Sequence, residues 1–376
     1  MAISRHPTPS KKSPQLGLAW PHDTELVGLV LELTPRAASH LYAQYAIGLH
    51  AWFLGQVQQT DPELSQILHD EQSEKAFTIS GLEGDLLNSG KEFQLLADRI
   101  YRWYVTGLSM RVVQWLSQWV KNLPEQIDLR NADLLIRSWD FVLPPTTYLQ
   151  LLAVESPANR TIKLSFITPT SFRSKKHHFP LPVPENVFHS YLRRWNNFSG
   201  MNVDQAEFLG WVEENVIITR HKLESQKVAA GKKGMVTGFT GAVEFGLGRS
   251  GGDRQDFVQL FYALGRLAPY CGTGHKTTFG LGQTRAEWLT TSPLPEVSVQ
   301  SLLAARIDEL TEKFAAQRKR AGGSRASEIA ETWATILARR ELGESLLDIA
   351  ADLEMPYETV KTYVKLARRA LKTDNY

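Results

Sequence analysis

Two hydrophobic periods run along this chain and recur in the same order. Leu26 to Leu33 is a short apolar run ending at Thr34-Pro35, which predicts a buried first strand. A helix is predicted from about Ala37 to Gln58, then strands at Phe77–Ser80, Tyr101–Val105 and Leu134–Ile136, with helical patterning at Met110–Val120. A second set starts with a strand at Thr161–Phe166 and a helix from about Glu185 to Phe198. Strands at Val216–Thr219 and Gly234–Phe245 follow, then a helix from Arg254 to Ala268 and a glycine-rich loop.

Strand, helix and strands therefore occur twice, which predicts an α+β fold of tandem ferredoxin-like (RRM-like) βαββαβ domains. After Gly322-Gly323-Ser324, which reads as a linker, the pattern is helical throughout: about Glu328 to Glu341, Ser345 to Leu353 and Tyr357 to Lys372. In the last helix Val360, Val364, Ala367 and Leu371 form one apolar stripe, and Lys361, Lys365, Arg368 and Lys372 repeat the spacing one residue on. A small apolar helix, a turn at Glu354-Met355-Pro356 and a basic amphipathic helix predict a C-terminal all-α helix-turn-helix-like extension. The stretch from Leu347 to Tyr363 resembles the helix-turn-helix of sigma-like and response-regulator DNA-binding domains.

The expected division is a disordered leader at 1–22, one ferredoxin-like domain at 23–150, a second at 151–292, a helix and linker at 293–325, and the helical tail at 326–376. No apolar run of about 18 residues or signal-peptide stretch is found, so no membrane contact is expected. The single cysteine, Cys271, excludes an internal disulfide and a zinc site built on several cysteines of one chain, and fits a reducing cytoplasm.

Charge is uneven. Residues 1–150 carry 12 Lys/Arg against 16 Asp/Glu, whereas residues 160–285 carry 17 against 9. A basic middle in a nearly neutral protein predicts a polyanion bound along one surface. The tail, with 13 basic and 12 acidic side chains over residues 301–376, has a weak electrostatic footprint, so a protein contact there stands beside a DNA contact.

The glycine-rich loop, Cys271 to Gln283, places Gly272, Gly274, Gly280 and Gly282 around His275 and Lys276. Glycines able to take φ > 0 let backbone N–H groups approach phosphate oxygens, with His275 and Lys276 beside them. The spacing matches neither a Walker A loop nor a Rossmann fingerprint, so no nucleotide cofactor is expected.

Three segments together resemble one family: Tyr45 to Leu54; Pro169-Thr170-Ser171-Phe172-Arg173 through Pro180–Pro184 to Tyr191–Asn196; and Gly272 to Gly282. They resemble the CRISPR-associated repeat-processing endoribonucleases of the RAMP superfamily, over roughly residues 25 to 290. The resemblance implies an enzyme that binds the precursor CRISPR transcript and cuts once per repeat without metal or cofactor. The helical tail is not part of that pattern.

Metal-free RNA cleavage needs a base for the ribose 2′-OH, an acid for the 5′-oxygen and a cation for the phosphorane between them. The products are a 2′,3′-cyclic phosphate and a 5′-hydroxyl. Histidine suits both proton transfers. At 100° per residue His50 lies about 180° from Leu41, off the main apolar stripe, and it matches the family's histidine on or near the first helix. His40 is the rival, about 15 Å along the expected helix. Tyr42 or Tyr45 is a candidate to orient the 2′-OH, with Tyr45 on the apolar stripe; Lys276, or Lys232 or Lys233, is a candidate to neutralise the phosphorane. Arg173, Lys175, Lys176, His177 and His178 form a basic tract suited to an RNA backbone, and Arg193 and Arg194 are candidate phosphate clamps, with a surface ion pair as the alternative. The paired histidines lack a carboxylate or cysteine at ligand spacing, so no metal is expected. Two other readings stand beside the enzyme: a non-catalytic RNA-binding subunit of a CRISPR effector complex, and a DNA-binding regulator acting through the last helix.

Overall fold

The computed structural model describes residues 20–42, 45–70, 74–88, 93–154, 160–174, 177–229, 235–248, 254–289, 299–316, 324–341 and 344–372. Most of the expected leader, Gly322 and Gly323 of the expected linker, and Lys175, Lys176, Lys232 and Lys233 lie outside the described residues.

In the first half the elements are β1 (Leu26–Pro35), β2 (Ser39–Leu41), α1 (Tyr45–Thr60), α2 (Pro62–His69), β3 (Phe77–Glu83), β4 (Leu87–Asn88), β5 (Phe93–Leu95), β6 (Tyr101–Gly107), α3 (Met110–Trp119), β7 (Gln126–Leu129), β8 (Ala132–Thr146) and α4 (Tyr148–Ala153). Strands β3-β6-β1-β8-β7 form one antiparallel sheet in that order. Without the added edge strand β7, this is the second, third, first and fourth strand of a βαββαβ unit. Leu29, Leu31 and Leu33 of β1 are buried with Trp103 and Val105 of β6, Leu49, Phe53 and Val57 of α1, and Val112 and Leu116 of α3.

The second half contains β9 (Thr161–Thr170), β10 (Phe172–Ser174), β11 (His177–Phe179), α5 (Pro184–Phe198), α6 (Gln205–Asn215), β12 (Val216–Ala229), β13 (Met235–Leu247), α7 (Gln255–Cys271) and β14 (Thr284–Arg285). Its sheet, β12-β13-β9-β14, repeats the same order of second, third, first and fourth strand. Val187, Phe188, Tyr191 and Trp195 of α5 and Phe261, Leu264 and Leu267 of α7 fill its core. The two halves meet where α7 ends: the Tyr270 carbonyl accepts from the Thr106 hydroxyl at 2.6 Å, and the Tyr270 hydroxyl donates to the Pro144 carbonyl at 2.9 Å.

Four helices follow: α8 (Val299–Ala316), α9 (Ser324–Glu341), α10 (Leu346–Asp352) and α11 (Tyr357–Lys372). Helix α8 packs along β12, while Arg130, in the turn between β7 and β8, pairs with Glu344 and Asp348 of the tail. The tail thus touches both halves. No described helix is long and apolar enough to cross a membrane.

The first helix departs from expectation. It starts at Tyr45, not near Ala37, because Ser39–Leu41 pairs with Phe93–Leu95 as an outlying strand. Long-range pairing overrides the local preference of Ala37-Ala38. Strand β8 is also far longer than Leu134–Ile136. Beyond β7's four residues its outer edge carries no ladder among the described residues, which is where Pro144 and Pro145 are tolerated.

Candidate active site at the seam of the two sheets

The loop after α7 folds against the first half of the molecule. Gly272, Gly274, Gly280 and Gly282 have φ of +64°, +77°, +79° and +68°, and Lys276 between them has φ of +61°. A side chain at Gly274 would collide with the Ser171 carbonyl and one at Gly282 with the Thr273 carbonyl. A Cβ at Gly280 would lie 2.9 Å from the Gly81 nitrogen. The glycines are thus required by close backbone approach.

Their N–H groups are occupied. Gly272 N–H bonds to the Ala268 carbonyl, Gly274 N–H to Ser190 Oγ, Gly280 N–H to the Ile79 carbonyl and Gly282 N–H to the Pro169 carbonyl. This corrects the expectation of a phosphate cradle made by those four N–H groups: each already has an internal acceptor.

Arg194 is corrected as well. It is 4% exposed, and its guanidinium donates to the Ser190 carbonyl and hydroxyl at 2.8 Å each, the Gly274 carbonyl at 3.0 Å and Thr277 Oγ1 at 3.4 Å. It is an internal brace for the glycine loop, not a surface clamp. Arg193, on the next face of α5, pairs with Glu74 at 2.8 Å, tying the two halves together.

The loop's 3-10 turn, Thr277–Phe279, carries the candidate chemistry. His50 Nδ1 lies 2.9 Å from the Thr278 carbonyl, and since a carbonyl only accepts, the proton is on Nδ1 and Nε2 keeps its lone pair. The imidazole stacks on Phe279 with centroids 4.2 Å apart and on Phe77 at 5.9 Å. Burial pushes His50 down to about 4; the Thr278 carbonyl opposes that shift, and His69 and Lys75 add to it. At neutral pH His50 is an uncharged base with a fixed tautomer.

Sequence reasoning missed His69 and Lys75. His69 ends α2, with Nδ1 bonded to the Ser65 carbonyl at 2.7 Å; Lys75 donates to the Asp70 carbonyl just before β3. A lysine two residues ahead of an expected strand gave no signal by itself.

Three candidates do not join His50. His40 sits on β2, paired with Gln94, off the helix altogether. Tyr42 packs against Gly48 and beneath Arg130, near Glu344 and Asp352, with burial first and those carboxylates next raising its hydroxyl to about 12. Gly48 contacts Leu129 of β7, whereas His50 contacts Phe77 of β3, and these strands are opposite edges of the sheet. Tyr45 is buried, its hydroxyl accepting from the Leu82 N–H at 3.2 Å.

Lys276 gathers elsewhere too. It lies near Arg173, His178 and His275, and burial with Arg173 lowers its ammonium. The hairpin β10–β11 pairs Arg173 with His178 and Ser174 with His177. His178 and His275 stack at 4.6 Å and 12°, and His178 Nδ1 and His275 Nε2 are buried without a hydrogen-bond partner among the described residues. Burial, opposed by the Ser171 carbonyl and reinforced by His178, Lys276 and Arg173, pushes His275 down to about 4. The glycine loop therefore joins two clusters, one around His50 and one beside the hairpin.

Two ferredoxin-like units meet at this loop, and sequence profiles say which family the arrangement belongs to. The profile of the CRISPR-associated endoribonuclease Cas6 matches residues 164–284, and that of the CRISPR Cas6 N-terminal domain matches residues 26–138. The chain belongs to the Cas6 family of CRISPR-associated endoribonucleases. Among solved structures it is similar to the Cas6 (TTHA0078) product complex at 25% identity and TM-score 0.54, covering 70% of this chain and 99% of that one. The Cas6 (TTHB231) product complex matches at 25% and 0.55, covering 69% and 98%. The Thermus thermophilus Cas6 (TTHB231) matches at 25% and 0.51 with the same coverage. No curated protein matches the chain by sequence.

Proposed function

We propose that this chain binds CRISPR repeat RNA along the glycine loop and cleaves the precursor transcript within each repeat, without metal, by attack of the ribose 2′-OH on the adjacent phosphate. Solved relatives described as product and substrate-mimic complexes support the RNA partner. His50 Nε2 takes the 2′-OH proton, and the resulting oxygen bonds to phosphorus. The 5′-oxygen departs with a proton from the solvent side, where the exposed His69 lies. The products are a 2′,3′-cyclic phosphate and a 5′-hydroxyl. Lys75 adds positive charge beside the phosphorane, the role expected earlier of Lys276.

The observation that carries this reading is the 2.9 Å bond from His50 to Thr278, which leaves Nε2 as the basic nitrogen. The hairpin cluster supports a second RNA contact. Burial first, and the neighbouring charges of this cluster next, lower His178, His275 and Lys276 beside Arg173, so a phosphate there would offset the positive charge and give orphaned ring nitrogens a partner.

The test is cleavage of the protein's own repeat RNA in excess EDTA by wild type, His50→Ala and Lys75→Ala. His50→Ala is expected to slow single-turnover cleavage by roughly 10²- to 10⁴-fold with RNA affinity retained. Full-rate cutting by that variant would remove His50 from the mechanism. Loss of wild-type cutting in EDTA, or a 3′-hydroxyl on the upstream product, would remove the metal-free route.

A further inference from the structure

The helical tail lies outside both family matches, and the solved Cas6 structures are covered almost to their full length by about 70% of this chain. Its purpose must be argued from its own residues. Helix α10 opens with Ser345 as N-cap and ends at Leu353; Glu354 then takes φ of +53°, and the Met355 N–H bonds back to the Ala350 carbonyl at 3.0 Å. Pro356 immediately precedes α11, which starts at Tyr357, and the Thr359 and Val360 N–H groups bond to its carbonyl. Val360, Val364 and Ala367 are buried against α8, α9 and α10, with Tyr363 beside Trp333. The opposite face exposes Lys361, Thr362, Lys365, Arg368 and Arg369.

The near-neutral charge of the tail conceals how that charge is arranged. Several of its acids are held in ion pairs away from α11, Glu344 and Asp352 with the buried Arg339, Asp348 and Glu344 with Arg130, Glu341 with Arg306, and Asp308 with Lys227, while Glu312, Glu328, Glu331 and Glu354 are exposed. The single acid on α11 is Glu358, in its first turn, near Lys361 at 3.6 Å. The outward face of α11 is therefore basic while the sum is close to zero.

We propose that α9 to α11 form a duplex-DNA binding unit in which α11 enters the major groove. A groove about 12 Å wide admits a helix of this kind, whereas the major groove of A-form RNA is deep and narrow, so DNA is favoured over an RNA duplex. Lys365 and Arg368 contact phosphates, and Lys361 and Thr362, nearer the N-terminus of α11, reach base edges. This activity is separate from repeat cleavage.

The experiment is fluorescence anisotropy of the full-length protein with a labelled 20-base-pair DNA duplex, the same sequence as an RNA duplex serving as competitor, across a salt series. Lys365→Glu/Arg368→Glu is expected to weaken DNA binding at least about tenfold at 100 mM salt and to reduce the log–log salt slope by about two. Its melting temperature and repeat-RNA cleavage are expected to stay at wild-type values. If charge reversal lowers the melting temperature, Lys365→Gln/Arg368→Gln carries the same test. Absence of wild-type binding to the DNA duplex, equal competition by the RNA duplex, or unchanged affinity in the charge variants would each overturn the proposal.

Discussion

Replacing Arg194 with alanine would remove the donor to Ser190, Gly274 and Thr277 at once and leave buried acceptors unpaired. A loss of about 2–4 kcal/mol is expected, read by urea denaturation. Cleavage should also fall, because Gly274 and Thr277 lead directly into Thr278, whose carbonyl fixes His50. The role of this arginine was available in the helical phase: Arg194 lies three residues after Tyr191 and seven after Val187, both on the buried face of α5. The Arg-Arg pair looked alike as a surface feature, and only one of its members is one. His50 was singled out as a candidate for the complementary reason, since it fell off the main apolar stripe. Its partner was not legible, because a bond to a backbone carbonyl 228 residues away leaves no trace in local periodicity.

Proton linkage gives a further residue-level prediction. His50 and His275 are both pushed from 6.5 to about 4, so as pH falls from 6.5 the unfolded chain takes up protons that the folded chain refuses. Stability from these two groups is complete above pH 6.5 and is lost progressively down to about 4. The melting temperature should hold steady above pH 7 and drop through that window, and His275→Asn should flatten the drop. A melting temperature independent of pH between 6.5 and 4 would show that neither ring is buried neutral. If His50 acts as base, kcat/KM should rise along a limb near pH 4 and stay level into the neutral range.

Among the elements, the glycine loop separates glycines the fold requires from glycines it tolerates. Gly274→Ala forces a side chain onto the Ser171 carbonyl at φ of +77°, with an expected cost of about 1–3 kcal/mol or more. Gly55, inside α1 with nothing within 4 Å of an added Cβ, should gain about 0.5–1 kcal/mol as alanine. Thermal melts of the two variants side by side check both signs. Element order was readable twice over because each unit repeats one alternation of periods, while element lengths were not. Strand β12 runs from Val216 to Ala229 through Arg220, Lys222, Glu224 and Lys227, polar positions that hide a strand from a hydrophobic pattern. The displacement of Tyr42 and His40 from the site has the same origin, a start of α1 decided by pairing with β5.

At the scale of the whole molecule, ion pairs bridge parts that periodicity treats separately: Arg193 with Glu74 and Arg285 with Glu83 between the halves, Arg130 with Asp348 between the first half and the tail, and Lys227 with Asp308 between the second half and the tail. Arg193 is 44% exposed at its side chain, so a double-mutant cycle with Glu74 should yield a coupling below about 1 kcal/mol. A larger value would mean that the seam excludes more water than its exposure indicates. Charge counts pointed to the basic middle, and they obscured the tail, where bases gather on the outward face of α11 and Arg339 is buried with its acids. Sorting of that kind is settled by packing and is invisible to a sum.

The bond between His50 and Thr278 also sets a clock. The ribosome adds roughly 5–20 residues per second, so on the order of 10–50 s separate the synthesis of the histidine from that of the carbonyl that orients it. A nascent chain carries His50 with no fixed tautomer until Thr278 has been made, and a product terminated before the glycine loop never acquires one. On the proposed mechanism, transcripts near the translating ribosome are safe from this nuclease until the second sheet has closed over the first.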